Sequence, residues 1–160
     1  MSEDDTNSLL QNIISWTIQS LADGAAPFVT KKLCTALVTF FIHFSHLWPH
    51  CVRHFLYCLD LGRGTPVEGL DDALTTEILV SRLDRRKLSA AVWFITSLVE
   101  EVGKTDMSSP KFIQVHERLI KTGHDVTCLL AQAFNPPEDN PAIKTQGEAL
   151  ACFQVCLKLL

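Results

Sequence analysis

The chain has 160 residues, of which 47% are apolar and 20% charged, so it can bury a core and wholesale disorder is excluded. The net charge is −4 and the densest basic run, RLDRRK at residues 82–87, indicates a solvated helix start, which excludes an obvious nucleic-acid partner. None of the six cysteines belongs to a C-x-x-C pair, and the opening MSEDDTNS is not a signal peptide. We therefore expect reduced thiols in an intracellular protein.

The first segment predicts a frayed start followed by a helix. Residues 1–7 are acidic and polar, whereas residues 8–21 carry apolar side chains at helical spacing. These side chains are Leu9, Leu10, Ile13, Ile14, Ile18 and Leu21. Asp23 and Gly24 are expected to end the helix, with Gly24 in the left-handed conformation that glycine adopts readily.

A second helix is predicted over residues 27–44. Pro27 suits the first helical position, because a backbone N–H would have no partner there. Only Lys32, Thr35 and Thr39 form a polar stripe, so this helix needs neighbours on more than one side. The apolar run at 33–48 is shorter than the roughly 20 residues of a membrane span and contains two histidines, which favours a packed helix over a span.

After a bend near Ser45, Pro49 opens a third helix whose two faces differ. One face is apolar, and the other carries polar and aromatic residues at positions i, i+3, i+4 and i+7. The apolar face has Trp48, Val52, Phe55, Leu56 and Leu59, and the opposite face has His50, Arg53, His54 and Tyr57. Aromatic residues and arginine are enriched where proteins dock, so we predict that the second set is exposed and binds a protein. An ordinary solvated helix face is the alternative.

Two further helices follow a loop. Residues 61–69 contain three glycines and a proline, which predicts the loop. Apolar residues at helical spacing then predict helices over 73–82 and 85–102, the latter ended by Gly103. The expected N-caps are Asp71 or Asp72 for the first of these helices and Asp84 for the second.

The remaining sequence predicts more helix and no strand. Ser109 and Pro110 start a helix that reaches about residue 134, with an interruption at Gly123. A last helix over 141–160 ends in CLKLL without a stop signal, so we expect the chain to be a fragment of a longer protein. The fold class is therefore all-α, with about seven antiparallel helices. A pair such as 27–44 and 49–59 cannot bury both of its unequal faces alone, which is typical of stacked helical repeats.

Histidines and cysteines cluster in the middle of the chain. Within sixteen residues lie His43, His46, Cys51, His50, His54 and Cys58. Zinc needs four converging ligands, usually from two elements, and Pro49 interrupts the helical register of this cluster. We therefore interpret these histidines as packing or polar-face residues and predict no metal site.

Catalysis is also not indicated. Cys51 and His54 are three residues apart, but no nucleophile elbow, glycine-rich phosphate loop or oxyanion signature accompanies them. The carboxylates are interpreted as helix caps and solvated groups. We predict that the chain is not an enzyme and uses no cofactor.

The order of these elements resembles the importin-β superfamily of nuclear transport receptors, most closely its importin 13 and transportin-SR branch. FVTKKLCTALVTFFI followed by LWPHCVRHFLYCL resembles one helix pair of an early repeat. WFITSLVEEV and ALACFQVCLKL resemble the first helices of the next repeats. The sequence departs from the family where Val99 replaces a proline and Cys156 replaces a tryptophan.

This resemblance implies an α-solenoid of HEAT-like antiparallel helix pairs over residues 8–160. First helices would line the convex side, and second helices, with His50, Arg53, His54 and Tyr57, would face the concave side. The implied partners are Ran-GTP, protein cargo and Phe-Gly nucleoporins, and the implied locations are nucleus and cytoplasm. No membrane or nucleic-acid partner is implied. A different helical-repeat scaffold or adaptor without Ran binding is the alternative.

Overall fold

In a computed structural model, residues 1–134 are described, and within them the chain is all-α without a strand. The helices are α1 (Glu3–Ala22), α2 (Pro27–Phe44), α3 (Cys51–Leu61), α4 (Thr76–Arg82), α5 (Arg85–Gly103), α6 (Pro110–Lys121) and α7 (Gly123–Phe134). Short 3₁₀ turns lie at Ser45–Leu47 and Val67–Gly69. The predicted helix over 141–160 lies outside the described residues.

Local sequence signals place several helix boundaries correctly. Pro27 is the first residue of α2, and Asp84 caps α5 by accepting a hydrogen bond from the backbone N–H of Lys87 over 2.9 Å. Gly24 follows α1 with a φ of 65° in the left-handed region, as predicted. The predicted interruption at Gly123 is confirmed, because α6 ends at Lys121 and α7 begins at Gly123.

Three helix starts differ from the prediction, namely those of α1, α3 and α4, and α3 begins at Cys51 rather than at Pro49. Residues 1–7 were expected to be frayed, but α1 begins at Glu3, because the side chains of Ser2 and Asp5 form a reciprocal capping box. Helix α4 begins at Thr76 and is capped by the Thr75 hydroxyl, not by Asp71 or Asp72. Asp71 instead accepts from the backbone N–H of Ala73 over 2.9 Å, which closes a turn before the helix.

The core lies where α2, α3 and α5 meet. Helix α2 packs between α1 and α5, which satisfies its need for cover on more than one side. An aromatic cluster joins the three helices: Trp48 contacts Phe40 and Phe94 with ring centroids 6.0 and 5.6 Å apart, and Phe55 contacts Phe94 at 5.0 Å. Trp48, Phe55 and Phe94 are at most 1% exposed, so this cluster fixes the bend between α2 and α3.

Residues Pro27–Leu47 are long and apolar enough to cross a membrane by length and composition alone. A helix at the centre of a folded core passes the same test. Leu37, Val38 and Phe41 of this segment are fully buried against the neighbouring helices. Packing within the described residues buries 39% of its apolar 18-residue stretch.

Candidate functional site

The four predicted binding residues do not share one exposed face. Helix α3 begins at Cys51, so His50 precedes it and is exposed, while Arg53 and Tyr57 are half-buried. His54 is 0% exposed, and its prediction as an exposed contact residue was wrong. The reason is that the loop after α3 returns over this side of the helix.

His54 is within hydrogen-bonding distance of one residue that precedes helix α3 and one that follows it. Its Nδ1 lies 3.0 Å from Nε1 of Trp48, and its Nε2 lies 3.0 Å from the carbonyl oxygen of Thr65. An indole N–H can only donate, so Nδ1 accepts, and Nε2 carries the proton and donates to Thr65. The bend before α3 and the loop after it are thus joined through one imidazole ring.

The environment of His54 keeps it neutral. Burial lowers the pKa of its imidazole, although the backbone of Thr65 and Pro66 and the charge of Glu68 act in the opposite direction. A proton added at Nδ1 would also meet the Trp48 donor, so the charged form would lose that hydrogen bond. His54 is therefore a structural residue that is sensitive to acid.

His50 and Arg53 line a groove of about 420 Å³ on the surface. Its wall is formed by the start of α1, the bend before α3 and the segment before α4. The ionisable residues of this wall are Glu3, His46, His50, Arg53, Glu68 and Asp72. Tyr57 does not line it. The groove brings together two of the four predicted residues and adds carboxylates that the helical pattern did not include.

Arg53 is oriented by one carboxylate of this groove. Its Nη2 donates to Oδ1 of Asp72 over 3.3 Å, and the Arg53 side chain is 17% exposed while that of Asp72 is 97% exposed. An ion pair with one fully solvated partner contributes little to stability, about 0–1 kcal/mol. Asp72 can therefore release Arg53 to another acidic group at small cost.

The histidines and cysteines of the central cluster do not come together as one group of potential metal ligands. The thiol of Cys58 contacts His54, with Sγ 3.6 Å from Nε2. Both ring nitrogens of His54 already have partners, and burial raises the pKa of the Cys51 thiol. The described contacts therefore do not pair Cys51 with His54 as a nucleophile and its base.

Two features of the structure were not predicted from the sequence. A second groove, of about 380 Å³, lies beside the start of α5, where Arg85, Arg86 and Trp93 contribute to its wall. The other feature is a group of side chains on α4 and α7, namely Glu77, His124 and Cys128. The spacing of His124 and Cys128 is a local signal, but their proximity to Glu77 depends on the packing of two helices.

No protein-family model, curated protein or solved structure matches this chain. The all-α class follows from the seven helices of residues 1–134 themselves.

Proposed function

We propose that the chain is a protein-binding helical scaffold of the nuclear transport receptor class, and that it contacts its partner through the groove lined by His50 and Arg53. The class comes from the resemblance to importin-β superfamily receptors. The contact residues are proposed from the groove itself, which has a volume of about 420 Å³ and a wall with both cationic and anionic side chains. Under this proposal Ran-GTP or protein cargo occupies the groove, and the chain works in nucleus and cytoplasm.

Two pairs of consecutive helices pack against each other, α1 with α2 and α3 with α4, which supports a solenoid of paired helices. The pair expected from the sequence, α2 with α3, is different, because the main contacts of α2 are with α1 and α5. Helix α2 packs against α1 on one side and α5 on the other, while α4 packs against α3 and α7. Helices α3 and α7 also contact α5. Stacked pairs of this kind bury their apolar faces against their neighbours and leave an extended surface for binding.

The chemistry of the groove favours a partner that carries a carboxylate. Arg53 presents a guanidinium beside the exposed His50, and a bidentate contact with a carboxylate fits the planar donors of arginine. Glu3 and Glu68 on the same wall would repel a uniformly acidic surface. The expected partner surface is therefore mixed, with an acidic group at Arg53 and a basic group near the carboxylates.

The experiment compares charge reversals in the 160-residue chain. Arg53→Glu is expected to weaken binding of Ran-GTP or of a cargo protein by roughly thirtyfold, since an interfacial arginine contributes about 2 kcal/mol. The loss should shrink as salt rises, because exposed charges are screened. Ran-GDP serves as the nucleotide control, and a melting curve measures the stability that the variant loses with the Asp72 ion pair, since the Arg53 side chain is only 17% exposed.

Arg63→Glu is the matched control, because Arg63 is exposed at the opposite end of α3 and does not line the groove. It should leave binding unchanged. Equal affinities of the two variants for every partner would contradict the proposed groove. Cargo binding that depends on Arg53 without any binding of Ran-GTP would favour the scaffold without a Ran link.

A further inference from the structure

Three side chains with metal-binding chemistry meet between α4 and α7. Oε1 of Glu77 lies 2.8 Å from Nε2 of His124 and 3.3 Å from Sγ of Cys128, and Sγ lies 3.6 Å from Nε2. We propose that these three side chains bind one Zn²⁺ ion and that the ion links α4 to α7. This site is separate from the groove of Arg53, because none of the three residues lines that groove.

The distances fit tetrahedral coordination. Zn–N and Zn–O bonds of about 2.0–2.1 Å and a Zn–S bond of about 2.3 Å separate the ligand atoms by roughly 3.3–3.6 Å. Both separations that involve Sγ of Cys128 already lie in this range. The hydrogen-bonded pair of Glu77 and His124 must open by about half an ångström, which side-chain rotation can supply.

The ligands come from elements that hold one another in place. His124 and Cys128 are four residues apart on α7, so they project from the same face of the helix. Glu77 is fixed relative to them because the hydroxyl of its neighbour Thr76 donates to the carboxylate of Asp125 on α7. Two ligands on one helix and a third on a packed neighbour meet the requirement that zinc sites draw on more than one element.

The site is open on one side. Glu77 and His124 are exposed, Cys128 is half-buried, and a shallow cavity of about 340 Å³ is lined by Glu77, Cys128 and Gln132 among others. Three protein ligands leave the fourth tetrahedral position for a water molecule or a group from another molecule. The set of imidazole, thiolate and carboxylate suits zinc better than calcium or magnesium, which require oxygen ligands.

The test uses the reduced full chain with Co²⁺ as the spectroscopic probe. We expect one equivalent of Co²⁺ to give the visible absorption of a tetrahedral site together with a thiolate charge-transfer band, and Zn²⁺ to displace it. Cys128→Ser should abolish the charge-transfer band. His124→Asn and Glu77→Gln should each weaken Zn²⁺ binding by at least roughly tenfold, because even outer-shell partners of a metal site contribute that much.

Two controls separate this site from other thiols and histidines. The double variant Cys152→Ser/Cys156→Ser and the variant His46→Asn should both bind Co²⁺ as the parent does. Circular dichroism should show the variants of Glu77 and His124 folded, since both side chains are exposed. Zn²⁺ should also raise the melting temperature of the parent but not of Cys128→Ser. A parent chain without a tetrahedral cobalt spectrum, or a spectrum that persists unchanged in Cys128→Ser, would overturn the proposal.

Discussion

The indole of Trp48 donates from Nε1 to Nδ1 of His54 over 3.0 Å, and both side chains are 0% exposed. This bond joins the bend after α2 to the first turn of α3. On its other side the ring of His54 donates to the carbonyl oxygen of Thr65, so the loop after α3 is held by the same residue. Removal of either partner therefore leaves a polar atom buried without its hydrogen bond.

Trp48→Phe tests this relationship. Phenylalanine retains a large aromatic ring for contact with Phe40 and Phe94 but leaves Nδ1 of His54 without a donor. We expect the free energy of unfolding to fall by about 1–3 kcal/mol for the unsatisfied acceptor, with a further loss from reduced packing. Urea unfolding measures the change. Trp16→Phe is the control, since Trp16 is 57% exposed, and its effect should stay within about 0.5 kcal/mol. Equal unfolding midpoints for the two variants would contradict the assigned hydrogen bond.

The case of His54 shows where sequence periodicity stops being informative. The spacing of Arg53, His54 and Tyr57 correctly predicts that they follow the period of one helix, whereas His50 precedes α3. The spacing contains no information about what covers that side. The cover comes from Thr65, eleven residues from His54, and depends on the path of a loop. By contrast, the start of α2 at Pro27 depends only on local backbone chemistry, and the sequence predicts it correctly.

The same limit applies to the candidate metal site. His124 and Cys128 are four residues apart, and a search for ligand pairs at helical spacing would find them. Glu77 is 47 residues from His124, and no local pattern relates the two. The all-α class, in contrast, follows from apolar spacing in each segment separately, and the described helices confirm it.

Acid should destabilise the chain through His54. Its folded-state pKa is lowered by burial from the ordinary value of 6.5, so the unfolded chain binds the proton more readily. The stability that the neutral ring contributes is therefore fully present above about pH 6.5 and is lost as the pH falls towards the folded-state pKa. In that window the free energy of unfolding should decrease by up to about 1.4 kcal/mol per pH unit.

Urea unfolding at pH values between about 7.5 and 5 measures this dependence. Trp48→Phe serves as the comparison, because it removes the donor that opposes protonation at Nδ1 and should make the slope shallower. The exposed residue His46 provides the control substitution, His46→Gln, which should keep the slope of the parent. A parent whose stability does not change between pH 7 and pH 5.5 would rule out a neutral, buried His54.

Gly64 should tolerate no side chain, because it lies against the backbone of α1. Its N–H donates to the hydroxyl of Ser15 over 3.1 Å, and a Cβ atom at this position would overlap the carbonyl oxygen of Gln11. A backbone carbonyl within a helix cannot move aside, so the loop would shift and take the adjacent Thr65 away from His54. We expect Gly64→Ala to lower the free energy of unfolding by about 1–3 kcal/mol.

Gly69→Ala is the matched control for this prediction. A Cβ atom at Gly69 would meet only the ring carbon Cδ of Pro66 at 3.9 Å, which is ordinary van der Waals contact. Because alanine also restricts the unfolded chain, this variant should be neutral or more stable by up to about 1 kcal/mol. Thermal and urea unfolding of the two variants side by side make the comparison. If Gly64→Ala is as stable as Gly69→Ala, then the loop does not approach α1 closely, and its carbonyl at Thr65 is not held in position to accept from His54.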